Sequence, residues 1–214
     1  MARFWCVLLC AVISAVLAFL VVLQTNAKRD NLSKSTVRVT VGQGHGSGVN
    51  IGGFVISAAH VVGSESEVML STSDGKQTPA DVLWVNRAHD VALLKPREKL
   101  TAAVSRLACD APVSVGQSIE AVGNPGPLEF VHSWGRVSGP TKEYFRWKLA
   151  FIADLGIAPG SSGGPVLDHH GRVVGIVVGV ILTQLGWTPA PTHYALIVPA
   201  SAICSLLARP RNSA

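Results

Sequence analysis

The sequence predicts an all-β protein of antiparallel barrels or sandwiches, and three observations carry that expectation. Apolar and polar residues alternate in Thr36-Val37-Arg38-Val39-Thr40-Val41, the signature of a half-buried strand. Similar short runs recur near residues 67–71, 80–85, 91–95, 118–122, 129–137, 146–152, 173–182 and 193–198. Turn residues separate them: Ser73-Asp74-Gly75, Asn124-Pro125-Gly126-Pro127, Ser138-Gly139-Pro140 and His169-His170-Gly171. Within the strand-rich region only the tail, residues 199–208, reads as a helix, entered by Pro199 with Ser201 as its cap.

Taken in order, the 214-residue chain opens on an apolar run from Phe4 to Leu23 in which Ser14 is the only plainly polar side chain. At about 1.5 Å per residue it would span roughly 30 Å, the thickness of a bilayer's hydrocarbon core. A cleaved signal peptide is the alternative, with Thr25-Asn26-Ala27 as the cleavage site. Signal h-regions usually stop at about 7–15 residues. Residues 1–27 are therefore expected to be a retained single-pass anchor, which makes the membrane a partner. Cys10 follows Val7-Leu8-Leu9 rather than small residues, which argues against a lipoprotein signal. Arg3 precedes the run and Lys28, Arg29, Lys34 and Arg38 follow it, so a positive-inside count would hold the rest of the chain in the cytoplasm. Residues 28–35 read as a polar linker.

The strand at 36–41 leads into Gly42-Gln43-Gly44-His45-Gly46-Ser47-Gly48 and then Phe54-Val55-Ile56-Ser57, a hairpin pattern. The glycines are no phosphate-binding loop, because no helix opening on Lys-Ser/Thr follows. The formal charge is +5, from 18 Lys and Arg against 13 Asp and Glu. These cations are scattered, with no run of five or six, so nucleic-acid binding is not expected. Cys6 and Cys10 fall in the apolar run. Cys109 and Cys204 pair only if the fold brings them together, which sequence leaves open. No Cys/His spacing marks a metal site, and no metal or cofactor is expected. The inter-barrel connection is expected within 102–116.

The stretch with the strongest chemical content is Pro159-Gly160-Ser161-Ser162-Gly163-Gly164-Pro165-Val166. Alone it also reads as a flexible linker. Strand-like runs close on both sides, Leu149-Ala150-Phe151-Ile152 and Val173-Val174-Gly175-Ile176-Val177-Val178, argue instead for a tight turn. Such a turn lifts the Ser162 hydroxyl from the surface and aims the N–H groups of Gly160 and Ser162 at one point, an oxyanion hole. A serine hydroxyl is a weak nucleophile and needs a base with an orienting group. Of seven histidines, His60 stands out: it ends the apolar strand of Ile56-Ser57-Ala58-Ala59-His60, where small residues leave room for an imidazole. Alone it reads more readily as a structural histidine. Asp90 opens the apolar run Val91-Ala92-Leu93-Leu94, and a carboxylate buried there requires a donor.

These motifs, in the order Ala-Ala-His60, Asp90-Val-Ala-Leu-Leu-Lys and Gly-Ser-Ser162-Gly-Gly-Pro, resemble the trypsin/chymotrypsin-like serine peptidases. Gly46-Ser47-Gly48-Val49, Ala121-Val122-Gly123-Asn124-Pro125, Gly135-Arg136-Val137-Ser138-Gly139 and Tyr194-Ala195-Leu196-Ile197-Val198-Pro199 are similar to blocks of the HtrA/Deg-type branch. The resemblance covers about residues 36–205. It implies two antiparallel six-stranded barrels, one over about 36–110 and one over about 111–208. It further implies His60 as base, Asp90 as orienter, Ser162 as nucleophile, and Gly160 and Ser162 N–H as the oxyanion hole. Polypeptides are the implied substrates and an extracytoplasmic face the implied location, opposite to the positive-inside count. Ser161 stands where zymogen-type trypsins carry an aspartate, so no activation by a cleaved amino terminus is expected. The PDZ module usual in HtrA proteins is not expected after the C-terminal helix.

The resemblance places Gly156 at the base of the specificity pocket, where no carboxylate awaits Lys or Arg. It puts Val177, Val178 and Gly179 on the wall and Thr192 opposite, so a small-to-medium apolar P1 residue is expected. Asp154 reaching into the pocket is the alternative. A catalytically inactive binding module of the same fold, and a structural membrane protein, are the rival functions; an intact His/Asp/Ser set in this order disfavours both.

Overall fold

The computed structural model describes residues 13–17, 19–20, 34–185 and 188–208. The chain divides into two compact units, Met1–Asn31 and Leu32–Ala214. In the first, residues 13–17 and 19–20 are helical and exposed. Among the described residues no helix is long and apolar enough to cross a membrane. Most of the Phe4-to-Leu23 run and of the expected linker lie outside the described residues.

The second unit holds both barrels. The first comprises β1 (Thr36–Val41), β2 (Gly44–Asn50), β3 (Val55–Ser57), β4 (Glu67–Ser71), β5 (Gln77–Asn86) and β6 (Val91–Pro96), closed in the order β1-β2-β3-β6-β5-β4. Alternation drives it. In β4 Val68 and Leu70 turn inward while Glu67 and Met69 face out, and the inward set joins Val37, Val39, Val55 and Leu94 in the barrel core.

The second barrel comprises β7 (Ser118–Gly123), β8 (Val131–Val137), β10 (Trp147–Asp154), β11 (Pro165–Leu167), β12 (Val173–Leu185) and β13 (Thr188–Pro199). Its order is β13-β12-β11-β7-β8-β10, and pairing of β10 with β13 closes the ring. β9 (Lys142–Tyr144) is an extra strand hung on β10. Phe151, Val166, Val177 and Ile197 fill this barrel. A third cluster lies between the barrels, where Val49, Ile56 and Val91 meet Trp147, Ile176, Val178 and Leu196.

Several expectations are corrected here. β9 and β11, three residues each, are too short for the alternation pattern to reveal. The strand at 55–57 ends before His60, which sits instead in the one-turn helix α1 (Ala59–Val62). The C-terminal helix α2 spans Ala200–Leu207 with Pro199 as its N-cap and no side-chain cap bond, so Ser201 is not the cap. Ser35 is buried and accepts from Ser105 Oγ at 2.8 Å, which builds the end of the expected linker into the unit.

The chain crosses between barrels at 105–106. Ser105 N donates to Asn50 O of the first barrel, whereas Val173 N of the second donates to Arg106 O. Three residues on, Cys109 forms a disulfide with Cys204 of α2, the pairing that sequence left open.

Candidate active site

Asp90 closes the turn between β5 and β6 with a left-handed backbone (φ 57°), a conformation aspartate tolerates better than most residues. Its side chain is buried but richly hydrogen-bonded. Oδ1 accepts from the backbone N–H of His60 at 2.8 Å, and Oδ2 accepts from His60 Nδ1 at 2.7 Å. Trp147 Nε1 donates to Oδ2 at 3.1 Å, and Arg146 Nη2 lies 3.7 Å from the same oxygen. Burial pushes the Asp90 carboxyl up, but the ring hydrogen bond, charge and backbone N–H of His60, with the Trp147 indole, outweigh it and hold the group below the usual carboxylate range. The brevity of α1 matters. In a first turn the N–H groups have no intrahelical acceptor, so His60 N is available to the carboxylate.

The Ser162 turn comes from the second barrel. Ser161 N donates to Ala158 O at 3.0 Å across Pro159-Gly160, and Gly160 has φ +100°. Proline at the second and positive-φ glycine at the third position is the type II pattern, which a side chain at Gly160 would strain. Among the described residues neither Gly160 N nor Ser162 N donates to the backbone. The turn is sewn to both barrels: Gly163 N donates to Val177 O at 2.7 Å, and Ser47 N donates to Ser162 O at 2.7 Å. A Cβ at Gly46 would meet the Ser162 carbonyl oxygen at 3.0 Å and collide with the methyls of Val61, the residue after His60. Ser162 and the His60 helix thus border the same glycine.

Of the expected pocket residues, Gly156 and Val177 line one small cavity with Ser133, Ile157 and Ser161. Ser133 Oγ donates to Gly156 O at 2.5 Å. Val178 faces the core between the barrels beside Trp147, not that cavity. Gly179 lies against the Trp147 ring, where a Cβ would stand 3.2 Å from it. Thr192 is spent on the β12–β13 hairpin, where its Oγ1 donates to Ile181 O and accepts from Tyr194 N. Asp154 is exposed on β10 and is not part of the cavity lining.

Sequence reasoning missed Trp147 and Arg146, and it quoted Ser47 and Asn124 only as members of motif blocks. Ser47 Oγ donates to Gly160 O at 2.7 Å and accepts from both nitrogens of Asn124 at 2.9 Å. No spacing rule announces such contacts, which join residues 77 and 113 positions apart. Among the described residues no group of three or more His, Cys, Asp or Glu side chains is placed to hold a metal ion.

Two closed barrels with a paired histidine and aspartate on one, and a glycine-flanked serine turn on the other, define a chymotrypsin-like protein. Residues 44–176 match the trypsin-like peptidase domain, and the chain belongs to that family. Among curated relatives, a probable periplasmic serine endoprotease DegP-like of Halomonas elongata is 31% identical over 62% of this chain and 28% of its own. The putative serine protease HhoA of Synechocystis is 32% identical over 65% of this chain and 37% of its own. Protease Do-like 1, chloroplastic, of Arabidopsis thaliana is 29% identical over 70% and 36%. The chain thus spans about a third of the length of the curated relatives it matches. Among solved structures, the Rv3671c protein of M. tuberculosis superposes with a TM-score of 0.68 at 23% identity, over 82% of this chain and 86% of the other. At that identity the likeness establishes the fold.

Proposed function

We propose that this chain is a serine endopeptidase acting on polypeptides through Ser162, His60 and Asp90. The observation that carries the reading is the buried Asp90 carboxylate, both oxygens of which accept hydrogen bonds from His60 beside the Ser162 turn. A carboxylate on Nδ1 fixes the tautomer that leaves Nε2 free as a base. His60 then takes the Ser162 proton as Oγ attacks the scissile carbonyl. The resulting oxyanion is met by the N–H groups of Gly160 and Ser162. Protonated His60, stabilised by Asp90, returns the proton to the leaving amine, and water releases the acyl group by the same steps in reverse order.

The test is covalent labelling by a fluorophosphonate together with peptide hydrolysis. Ser162→Ala abolishes both in a folded protein. Ser161→Ala keeps most of each, since its hydroxyl only accepts a 3.4 Å bond from Ala158 N. Labelling that survives Ser162→Ala but not Ser161→Ala would move the nucleophile by one residue.

The preferred P1 residue is small to medium and apolar. Gly156 brings no counter-ion and Val177 supplies apolar surface to the same cavity. Burying a P1 charge there without a partner costs several kcal/mol, about the penalty for any unpaired ion. With Val178 turned to the core and Thr192 committed to its hairpin, selectivity among aliphatic residues is mild. Mapping cleavage sites in a peptide library checks this, and a majority of cuts after Lys or Arg would overturn it.

An N-terminal membrane anchor with the peptidase on the extracytoplasmic side completes the reading. The apolar run from Phe4 to Leu23 supports the anchor. The periplasmic naming of DegP-like relatives and the Cys109–Cys204 disulfide support an oxidising compartment. The full-length protein should resist extraction by alkaline carbonate; release by carbonate would count against the anchor.

A further inference from the structure

We propose that Trp147 is a positioning residue for the His60–Asp90 pair, a hydrogen-bond donor lent by the second barrel to a carboxylate of the first. The proposal rests on the peptidase reading above and adds a residue to it. Asp90 Oδ2 has two acceptor positions, and His60 Nδ1 takes one at 2.7 Å while Trp147 Nε1 takes the other at 3.1 Å. With the His60 N–H on Oδ1, three donors from three directions leave the carboxylate one rotamer. Without the indole, Oδ2 would keep a buried, unmatched lone pair, and the carboxylate could twist away from the imidazole.

The indole is itself held from every side. The Arg146 guanidinium sits over its ring at 4.6 Å, and a Cβ at Gly179 would stand 3.2 Å from Cη2 and 3.3 Å from Cζ2 of the indole. Lys148 N donates to Ala88 O at 3.2 Å, tying the start of β10 to the loop that carries Asp90. The pairing of β9 with β10 shifts register between Trp147 and Ala150, and a bulge of this kind re-aims the side chain at its start. Trp147 is 9% exposed, and Val178 packs in the same inter-barrel cluster. The orientation of Asp90 therefore depends on how the two barrels dock. Charged and titratable groups beside the pair include Arg146, with Nη2 3.7 Å from Asp90 Oδ2, and His89 on the loop of Asp90, where it bonds Asn86 Oδ1; Arg87 lies on the same loop and Lys148 follows Trp147.

The experiment compares the full chain with Trp147→Phe, and with a chain carrying 3-benzothienylalanine at position 147. That residue keeps the shape of the indole and lacks the N–H, so it tests the hydrogen bond even where the phenylalanine variant fails to fold. Turnover of a peptide substrate should fall about tenfold or more, the scale of one hydrogen bond to a charged group, with KM little changed. Stripping one donor from Oδ2 concentrates negative charge on the oxygen facing the imidazolium. The acid limb of kcat/KM therefore moves to higher pH, and the His60 Nδ1–H proton resonance shifts. A purely packing role for Trp147 would leave both unmoved in the benzothienyl protein. Parent-like kcat, pH profile and resonance in that protein would overturn the proposal. A parent chain that neither labels nor hydrolyses would sink the peptidase reading alone, and the resonance would then decide the role of Trp147.

Discussion

Ser47 Oγ donates a 2.7 Å hydrogen bond to the carbonyl oxygen of Gly160, fastening the second strand of the first barrel to the turn that precedes Ser162. The same oxygen accepts from Asn124 N and Nδ2, and Asn124 is wholly buried. One hydroxyl thereby fixes the peptide plane between Gly160 and Ser161. The turn bond from Ser161 N to Ala158 O holds the other side of that plane.

Ser47→Ala strips the donor from Gly160 O, leaves Asn124 N without its acceptor and leaves Asn124 Nδ2 only its 3.4 Å bond to Val37 O. Outright loss of one oxyanion donor costs about 10²–10³ in kcat in a serine peptidase, and a loosened donor should cost about a tenth of that. The expected result is a fall in kcat of about ten- to a hundredfold with little change in KM, read from steady-state hydrolysis. Parent-like kcat would show that the turn holds its shape without Ser47.

Asp90→Asn should lower turnover by about four orders of magnitude, the scale seen when the orienting carboxylate of a serine triad is neutralised. The geometry explains why the amide fits so poorly. Donors from His60 N, His60 Nδ1 and Trp147 Nε1 converge on the two oxygens, and an amide accepts on only one side. Its NH2 must face a donor or force the imidazole into the other tautomer. A loss under about tenfold, measured as kcat/KM, would mean His60 is oriented by something else.

The sequence disclosed the strands whose two faces differ and the groups that chemistry forces to be paired. β1 was legible because Val37, Val39 and Val41 alternate with Thr36, Arg38 and Thr40, and Asp90 because a buried carboxylate demands donors. β9 and β11 escaped because three residues hold no period. The α1 turn at His60 escaped because Ala59, Val61 and Val62 suit a strand as well as a helix; packing of Ala59 and Val62 into the barrel decided it. Trp147 escaped for another reason. An aromatic residue opening an apolar strand reads as core, and it is core; only the direction of its N–H adds a role. Val178 shows the converse, since the alternation that turns Val177 into its own barrel sends the next side chain toward the other.

Removing the disulfide tests how far the fold relies on closure between the barrel connection and α2. Cys109 and Cys204 are 95 residues apart, so the bond shortens a long loop of the unfolded chain. In the chain-entropy view Cys204→Ser costs about 2–5 kcal/mol, or about 5–15 °C in Tm for a domain of this size. Reductant added to the parent should reproduce the shift. No residue assigned to the site bonds to either cysteine, so activity at room temperature should persist in the variant. An unchanged Tm would mean that the apolar face of α2, with Ala202, Ile203 and Leu206 in the inter-barrel core, suffices to hold it.

Acid should weaken the fold through Asp168 as well as Asp90. Asp168 sits after β11, where Oδ1 accepts from His170 N and Arg172 N at 2.9 Å, and Oδ2 accepts from Arg172 Nε at 2.9 Å. Burial pushes its carboxyl up, but these bonds and the Arg172 charge outweigh it and hold the group below its ordinary value of 3.8. A carboxylate depressed in the folded state gives up its proton more readily there than in the unfolded chain. Its stabilisation is complete above the unfolded value and disappears as pH falls through the folded one. For Asp90 and Asp168 that window opens below about pH 4. Calorimetric Tm should hold steady from about pH 7 to 5 and then decline on further acidification. Asp168→Asn removes the ionised partner of Arg172, so its Tm is lower at neutral pH and its decline in acid is shallower than the parent's. The two curves should converge at the acid end, where the parent's Asp168 is protonated too. Curves that stay parallel down to the lowest pH would show that the Asp168 turn contributes no proton-linked stability.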